Sequence, residues 1–356
     1  MNIRNKHITY PIIQGGMGVG ISLGNLAGNV ANCGGIGIIS TANVGFQEDD
    51  FYTNSLLANS RALQKEILNA VDISNQQGLI GINAMVATVQ YEELIKVAVE
   101  SGVDCIISGA GLPLKLPEYT QGSDVLLAPI VSSARATSAI CRYWDKKYHK
   151  IPDFLVIEGS RAGGHLGFHG DDISNYTAPE LSTILQEVKE VLHTYEVKYE
   201  YTIPIFVAGS INTPNEIQHM LSLGADGVQV ATRFIATTEC DASLEFKEQY
   251  IKANNEDIII VISPVGMPAR ALNTPFLKRL QESGRIAPTF CINCIHTCNV
   301  NETPYCITNA LIQAQQGNYE DGLFFCDDNV EIITELTTVS RLMKEFTSVW
   351  RENKCL

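Results

Sequence analysis

Short apolar runs alternate with longer amphipathic segments along most of this chain. Eight runs rich in Ile, Val and Leu are bounded by glycine or polar residues, and each run is continuously apolar. Strands that are buried on both faces show this pattern. The predicted strands are YPIIQ from Tyr10, GIGIIS from Gly35, LIGINAM from Leu79, DCIISGAG from Asp104, VLLAPIVSS from Val125, FLVIEG from Phe154, IPIFVAGS from Ile203 and GVQVATRF from Gly227.

The segments between these strands have helical periodicity, as in YEELIKVAVESG and TPNEIQHMLSLGA. Eight buried strands alternating with helices predict an α/β protein with a (β/α)8 fold, a TIM barrel, over residues 1–262. An open, doubly wound sheet is the alternative. Residues 41–78 are longer than a normal connection and contain the helix-like RALQKEILNAVDI, so we interpret them as an insertion after the second strand.

The alternation ends near Ser263. The remaining residues, 263–356, contain the helix-like stretches TPYCITNALIQAQQG and NVEIITELTTVSRLMKEF and no strand pattern. We therefore predict an appended C-terminal helical segment that packs on the barrel.

Four cysteines are grouped in this C-terminal segment. Cys291, Cys294, Cys298 and Cys306 follow the spacing C-x2-C-x3-C-x7-C. Closely spaced thiolates are typical ligands of an iron–sulfur cluster or of zinc, and Cys326 is an alternative fourth ligand. The competing interpretation is four reduced cysteines in a packed helical tail.

Composition excludes several classes of partner. The chain has a formal net charge of −14, whereas nucleic acids and anionic membranes attract clustered Lys and Arg. No apolar run is long enough for a membrane span, and no export signal precedes the ten cysteines. We expect a cytoplasmic protein with reduced thiols and a small-molecule substrate, with a homodimer left open.

The seventh and eighth strands end in residues suited to binding phosphate. Gly209 and Ser210 precede a helix start with Thr213 as N-cap and Pro214 in the first turn, and Thr232 adds a hydroxyl. Loops at these two strand ends form the phosphate site of many TIM barrels. The alternative is that the glycines only shape tight turns.

A second glycine-rich stretch, EGSRAGGHLGFHG, follows the sixth strand. His165 is surrounded by Gly163, Gly164 and Gly167, which let a planar ligand approach the backbone. Histidine exchanges protons near neutral pH, so His165 is the predicted catalytic residue, although a structural role is the alternative. His169 is interpreted as a loop residue.

Two further polar residues end strands on the same face of the barrel. Glu158 ends the sixth strand, where its carboxylate could accept hydrogen bonds from ligand hydroxyls or form a plain ion pair. Asn83 ends the third strand, and its amide needs hydrogen-bonding partners that a ligand or a neighbouring strand end could supply.

Together these motifs resemble one family. PIIQGGMGVG…LAGNVANCGGIGIIS, SGAGLP, EGSRAGGHLG and PIFVAGSI…LGADGVQVATRF occur in order over about residues 8–240. This combination resembles the FMN-dependent nitronate monooxygenases (2-nitropropane dioxygenases) and the related flavin-type enoyl-acyl-carrier-protein reductases.

The resemblance implies a TIM barrel with non-covalent FMN at its C-terminal face and His165 as the base that removes a proton next to a nitro group. In the enoyl reductases of the family, NAD(P)H is the co-substrate, and the histidine lies near the substrate carbonyl. The FMN contacts that the resemblance implies are Gly15, Gly16, Met17, Asn83, Glu158, Gly163, Gly209, Ser210, Gln229, Val230, Ala231 and Thr232.

Departures from the family pattern leave the substrate open between nitronates and enoyl thioesters. Glu158 stands where many nitronate enzymes have Gln, and Arg161 lies in the stretch that differs most. Ser210 and Ala231 replace glycines but are small enough for phosphate binding. Two hypotheses of other classes are a non-catalytic flavin or metal sensor and a barrel isomerase or aldolase that acts on a phosphorylated sugar without flavin.

Overall fold

The computed structural model of the chain describes residues 1–352, and the last four residues of the predicted segment 263–356 lie outside these described residues. Thirteen strands occur in chain order. They are β1 (Asn2–Ile3), β2 (Lys6–His7), β3 (Ile12–Gln14), β4 (Ile36–Ser40), β5 (Leu79–Met85), β6 (Cys105–Gly109), β7 (Leu126–Val131), β8 (Leu155–Glu158), β9 (Gly164–His165), β10 (Ile205–Ala208), β11 (Gly227–Val230), β12 (Ile258–Ile262) and β13 (Pro268–Leu272).

The predicted barrel is confirmed. All eight predicted strands form, and they close in the order β10-β11-β3-β4-β5-β6-β7-β8. Closure depends on the first and last barrel strands, which pair in parallel with Gln229 opposite Ile13. The open doubly wound alternative is wrong because such a sheet would leave these two strands as edges.

Fourteen α-helices surround the strands in the described residues, together with two short 3-10 helices. No helix among them is both long and apolar enough to cross a membrane. The α-helices are α1 (Gly24–Asn32), α2 (Ser55–Ser74), α3 (Tyr91–Glu100), α4 (Leu116–Tyr119), α5 (Ala134–Tyr148), α6 (Gly170–Ser174), α7 (Leu181–Tyr199), α8 (Pro214–Ser222), α9 (Thr232–Ile235), α10 (Leu244–Lys252), α11 (Pro275–Ser283), α12 (Ile307–Gln315), α13 (Val339–Phe346) and α14 (Ser348–Glu352).

Apolar side chains fill the barrel interior and leave its carboxyl end for the site. Phe154 and Phe206 cross edge to face inside the barrel, with ring centroids 5.5 Å apart. Ile3 of β1 and Ile8, which directly follows β2, join the same buried cluster and close its amino-terminal end. The interior is therefore a packed core.

The segment predicted as an insertion supplies a helix of the barrel. Residues 41–78 consist of a long loop and the 20-residue helix α2, which connects β4 to β5. The Glu66 carboxylate in α2 accepts a hydrogen bond of 2.8 Å from the backbone N–H of Gly24 at the start of α1. The extra length of this connection therefore lies in its loop, residues 41–54.

The C-terminal segment is not only helical, which corrects the sequence-based prediction. β12, β13 and β9 form a three-stranded antiparallel sheet in which Ala269 of β13 lies opposite His165 of β9. The Pro and Gly residues of SPVGMPARAL concealed β13, which pairs with β12 in a local hairpin and with β9 from a distant part of the chain. The predicted boundary after residue 262 falls between two strands of this sheet.

We predict that Gly37→Ala destabilises the barrel. A Cβ atom at Gly37 would lie 1.8 Å from the carbonyl oxygen of Ala27, because α1 packs directly on β4. Overpacking against backbone typically costs about 1–3 kcal/mol and occasionally more, so we expect a loss of at least about 2 kcal/mol in chemical denaturation. Gly170→Ala is the control because no atom lies within 4 Å of its added Cβ. Equal stability of the two variants would contradict the close packing of α1 on β4.

Candidate functional site

A cavity of about 390 Å³ opens at the carboxyl ends of the barrel strands. Active sites of TIM barrels lie on this face. The structure brings every predicted cofactor residue and the predicted catalytic residue to its wall. These are Gly15, Gly16, Met17, Asn83, Glu158, Gly163, His165, Gly209, Ser210, Gln229, Val230, Ala231 and Thr232.

One end of the cavity is shaped for an anion. Gly209 and Ser210 both have positive φ angles, +123° and +56°, in the turn after β10. Backbone N–H groups in a tight turn can form a concave site for an anion. A capping box between Thr213 and Glu216 holds the start of α8 behind this turn, as the sequence predicted for Thr213.

The C-terminal segment adds a residue that the sequence analysis missed. Asp327 is buried, lines the cavity and donates its backbone N–H to the Thr232 hydroxyl at 3.1 Å. Its carboxylate accepts hydrogen bonds from the Asn212 amide at 3.0 Å and the Asn329 backbone N–H at 3.1 Å. Burial raises the pKa of Asp327. An acidic residue directly after the apolar run LFFC was the only signal for this position.

Two arginines hold the C-terminal segment against the loop after β8. The Arg270 guanidinium on β13 is buried and donates to the carbonyl of Ser160 at 3.0 Å and to that of Ala162. Arg161 forms an ion pair with Asp328, with a distance of 2.6 Å between Nε and Oδ2. Both contacts lie behind the cavity wall, so the arginines position the loop and do not line the cavity.

His165 lies on β9 with one ring nitrogen already engaged. Its Nε2 atom is 2.7 Å from the hydroxyl of Ser263, which also accepts a hydrogen bond from the Val265 backbone N–H at 3.2 Å. The Phe325 ring packs against the imidazole, with ring centroids 5.2 Å apart. Burial lowers the pKa of His165 to about 4, so the imidazole is neutral near pH 7. Ser263 is a second polar residue of the site that the sequence analysis missed.

The cavity contains little charge. Burial raises the pKa of Glu158 to about 8, and no side-chain hydrogen bond or ion pair satisfies this carboxyl within the described residues. Glu158, His165 and Asp327 are the only titratable acid or imidazole groups on the described wall, and no Lys or Arg lies on it. A bound anion would therefore rely on backbone N–H groups and hydroxyls.

Gln229 presents an unsatisfied amide oxygen to the same space, and Asn83 lies nearby on its wall. The Gln229 Oε1 atom is buried without a hydrogen-bond partner in the described residues. Asn83 lies at the carboxyl end of β5, and its side chain is in contact distance of Gly16. A buried amide oxygen without a partner costs about 1–3 kcal/mol, which a ligand donor would recover.

None of the four cysteines predicted as metal ligands in the C-terminal segment lines this cavity. Cys294 lines a smaller neighbouring cavity of about 50 Å³, which His165 also borders. His169 is exposed at the start of α6, as expected of a loop residue. Cys326, the alternative fourth ligand, lines the main cavity.

Two curated relatives are similar to this chain over most of their lengths. The probable nitronate monooxygenase of Staphylococcus haemolyticus is 25% identical over 80% of this chain and 81% of the relative. The probable nitronate monooxygenase of Staphylococcus saprophyticus is 24% identical over 78% and 79% of the two chains.

Solved structures share the fold. FabK from Thermotoga maritima superposes with a TM-score of 0.73 at 24% identity and covers 98% of this chain and 94% of its own. A nitroalkane oxidase from Streptomyces ansochromogenes gives a TM-score of 0.71 at 18% identity over 98% and 97% of the two chains.

The family model described as nitronate monooxygenase matches residues 2–348, almost the whole described chain. The match extends through the C-terminal segment that supplies Ser263, Arg270 and Asp327 to the site and its surroundings. The protein belongs to the nitronate monooxygenase family and, as an enzyme, to the FMN-dependent oxidoreductases.

Proposed function

We propose that the protein oxidises alkyl nitronates with dioxygen, using FMN in the main cavity, and that His165 is the base that forms the nitronate by removing the proton next to the nitro group of a nitroalkane. The observation that carries this proposal is the neutral imidazole of His165 on the wall of a cavity that contains no cationic side chain among the described residues. Membership of the nitronate monooxygenase family supports the choice of substrate.

The residues present fit FMN. The turn at Gly209 and Ser210, together with the Thr232 hydroxyl, would hold the phosphate. The orphaned Gln229 Oε1 atom needs a donor, and the N–H of a flavin ring is one. Glu158 and Asn83 would bind the polar groups of the ribityl chain or ring. When bound, FMN supplies the chemistry of taking electrons from the nitronate and passing them to dioxygen.

The chain itself supplies proton transfer. If His165 donates its Nε2–H to the Ser263 hydroxyl, Nδ1 carries a lone pair and has no hydrogen-bond partner among the described residues. This nitrogen can remove the proton from the carbon next to a nitro group. Ser263 is then a positioning residue because it selects the tautomer and fixes the ring. The low pKa keeps the base unprotonated at neutral pH.

Reduction of an enoyl thioester with NAD(P)H is the second candidate. Glu158 in place of Gln and the SGAGLP motif at residues 108–113 favour it, and an enoyl reductase domain of MlnA from Bacillus amyloliquefaciens shares the fold with a TM-score of 0.65. However, no Lys or Arg of the described residues lines the cavity to bind the phosphates of a dinucleotide. We therefore rank nitronate oxidation first.

We expect the purified protein to show flavin absorbance and to consume oxygen when a propyl nitronate is added. NADH or NADPH oxidation with crotonyl thioester, measured on the same preparation, is the matched assay for the second candidate. Bound flavin with enoyl reduction but no nitronate oxidation would show that enoyl thioesters, and not nitronates, are the substrate class. Flavin with neither activity would favour the sensor hypothesis, and a colourless protein that binds no added FMN would contradict both reactions.

We predict that His165→Ala retains FMN but lowers the rate with a neutral nitroalkane about 10²–10⁴-fold, as is typical when a general base is lost. Oxidation of the preformed nitronate should fall less because its proton is already gone. His169→Ala is the control, since His169 is exposed and makes no side-chain cap contact. Equal losses for nitroalkane and nitronate would show that His165 does not act as the base.

We predict a pH-dependent stabilisation of the ligand-free protein by Glu158→Gln. The folded chain holds the Glu158 proton more tightly than the unfolded chain, so the unfolding free energy falls as pH rises from about 4.5 to about 8. The amide cannot ionise, and the variant should gain about 1 kcal/mol or more over the wild type at about pH 8. Chemical denaturation at about pH 4 should show no such gain. A gain independent of pH would contradict the raised pKa of Glu158.

A further inference from the structure

A small cavity adjoins the main cavity at His165. The small cavity, of about 50 Å³, and the main cavity share four wall residues, which are Ala42, Met85, His165 and Leu311. The same imidazole therefore borders both spaces. In the proposed function, FMN lies in the main cavity and the reacting carbon lies at His165, so the rest of the substrate's carbon chain has the small cavity within reach.

Apolar side chains from distant parts of the chain build most of the wall of the small cavity. They are Val19, Leu94, Val265, Ile295, Ile307 and Leu311. All six are buried, and all except Leu94 belong to one packed cluster. The packing of this cluster fixes the shape of the wall before any ligand binds. Preformed apolar cavities of this kind take up apolar groups.

The polar residues of this wall already make their hydrogen bonds within the protein. Six such residues bond to other protein groups, namely Thr41, Asn43, Asn59, Thr88, Gln90 and Thr308. No buried side-chain nitrogen or oxygen atom of these six residues lacks a partner, in contrast to Gln229 Oε1 in the main cavity. A bound water needs about two to four polar partners. The small cavity therefore suits an alkyl chain better than water or a polar group.

The volume of the small cavity limits the length of the chain that it can hold. A water-sized sphere occupies about 10–15 Å³, so a cavity of about 50 Å³ has room for about three or four such spheres. A straight chain of about three or four carbon atoms fills the same space. Each methylene buried there should strengthen binding about fourfold, whereas a longer or branched chain would have to displace packed side chains.

From the shared wall, the apolar lining and the internally bonded polar groups, we infer that the small cavity is the subsite for a straight alkyl chain of the substrate. It takes about three or four carbons beyond the reacting carbon, so the preferred nitronates are unbranched and have about four or five carbons. Ile307, in the first turn of α12, is a specificity-determining residue because its side chain forms part of this wall. This subsite rests on the proposed function, since the reacting carbon is placed at His165.

The test is a chain-length series on the flavin-loaded full chain. With straight-chain nitronates from ethyl to octyl, kcat/KM should rise about fourfold per carbon up to butyl or pentyl nitronate and then fall. Straight-chain carboxylates from acetate to octanoate are unreactive anions of the same planar shape, and pentanoate matches butyl nitronate in its heavy-atom skeleton. Their dissociation constants, measured by calorimetry, should follow the same profile.

Two variants of Ile307 and a matched control locate the subsite. Ile307→Ala enlarges the cavity, so the favoured chain should lengthen by about two or three carbons. Ile307→Val is the milder change, with an expected shift of about one carbon, and it tests the same point if the alanine variant does not fold. Ile312→Ala is the control because Ile312 lies in the same helix and the same buried cluster but lines neither cavity. Its chain-length profile should match that of the wild type.

A carboxylate profile without a chain-length optimum would overturn the subsite. So would an optimum that stays unchanged in the folded Ile307 variants, or one that moves equally in Ile312→Ala. The carboxylate series also separates this subsite from the proposed reaction. An optimum that moves with Ile307 but without nitronate turnover would retain the subsite and reject nitronate oxidation, whereas nitronate turnover with a flat profile would reject only the subsite.

Discussion

The pairing of β9 with β13 is the interaction on which the site depends. β9 is only two residues long, Gly164–His165, and it follows a loop that has little regular structure of its own. Its partner β13 holds His165 opposite Ala269, while Arg270 on the same strand binds the carbonyls of the preceding loop. A two-residue strand is not stable alone. The C-terminal segment therefore sets the position of the imidazole that faces the cavity.

Burial of the cavity wall also determines the protonation states of its titratable groups. Burial pushes the pKa of His165 down and that of Glu158 up, so both groups are neutral over much of the range between pH 4 and pH 8. Neutral donors and acceptors suit a ligand with a polar ring and a hydroxylated chain. The end of the cavity proposed for the phosphate differs, because the turn at Gly209 and Ser210 and the Thr232 hydroxyl lie there beside the buried Asp327. A phosphate bound there, as proposed for FMN, would favour the protonated form of Asp327, which its raised pKa makes accessible.

The barrel could be predicted because each of its strands has a recognisable local sequence pattern. Continuous apolar runs bounded by glycine mark β3 to β8, β10 and β11, and glycine-rich strand ends led directly to the cavity wall. The sequence analysis missed the residues that reach the site only through tertiary contacts. Ser263 reaches His165 across 98 residues, and Asp327 meets Asn212 across 115 residues. The strand β13 begins with proline, so its local sequence argues against a strand, which the hairpin with β12 and the long-range pairing with β9 nevertheless stabilise.

These long-range contacts also bear on whether the C-terminal segment is a separable unit. β13 pairs with β9, Asp327 contacts Thr232, and Arg233, the residue after Thr232, forms an ion pair with Glu345 of α13. Each contact joins a residue after position 262 to a barrel loop that borders the cavity. Without residues 263–352, the cavity would lose Phe325 and Asp327 from its wall, and His165 would lose the Ser263 hydroxyl. The catalytic face is therefore completed by the last quarter of the chain.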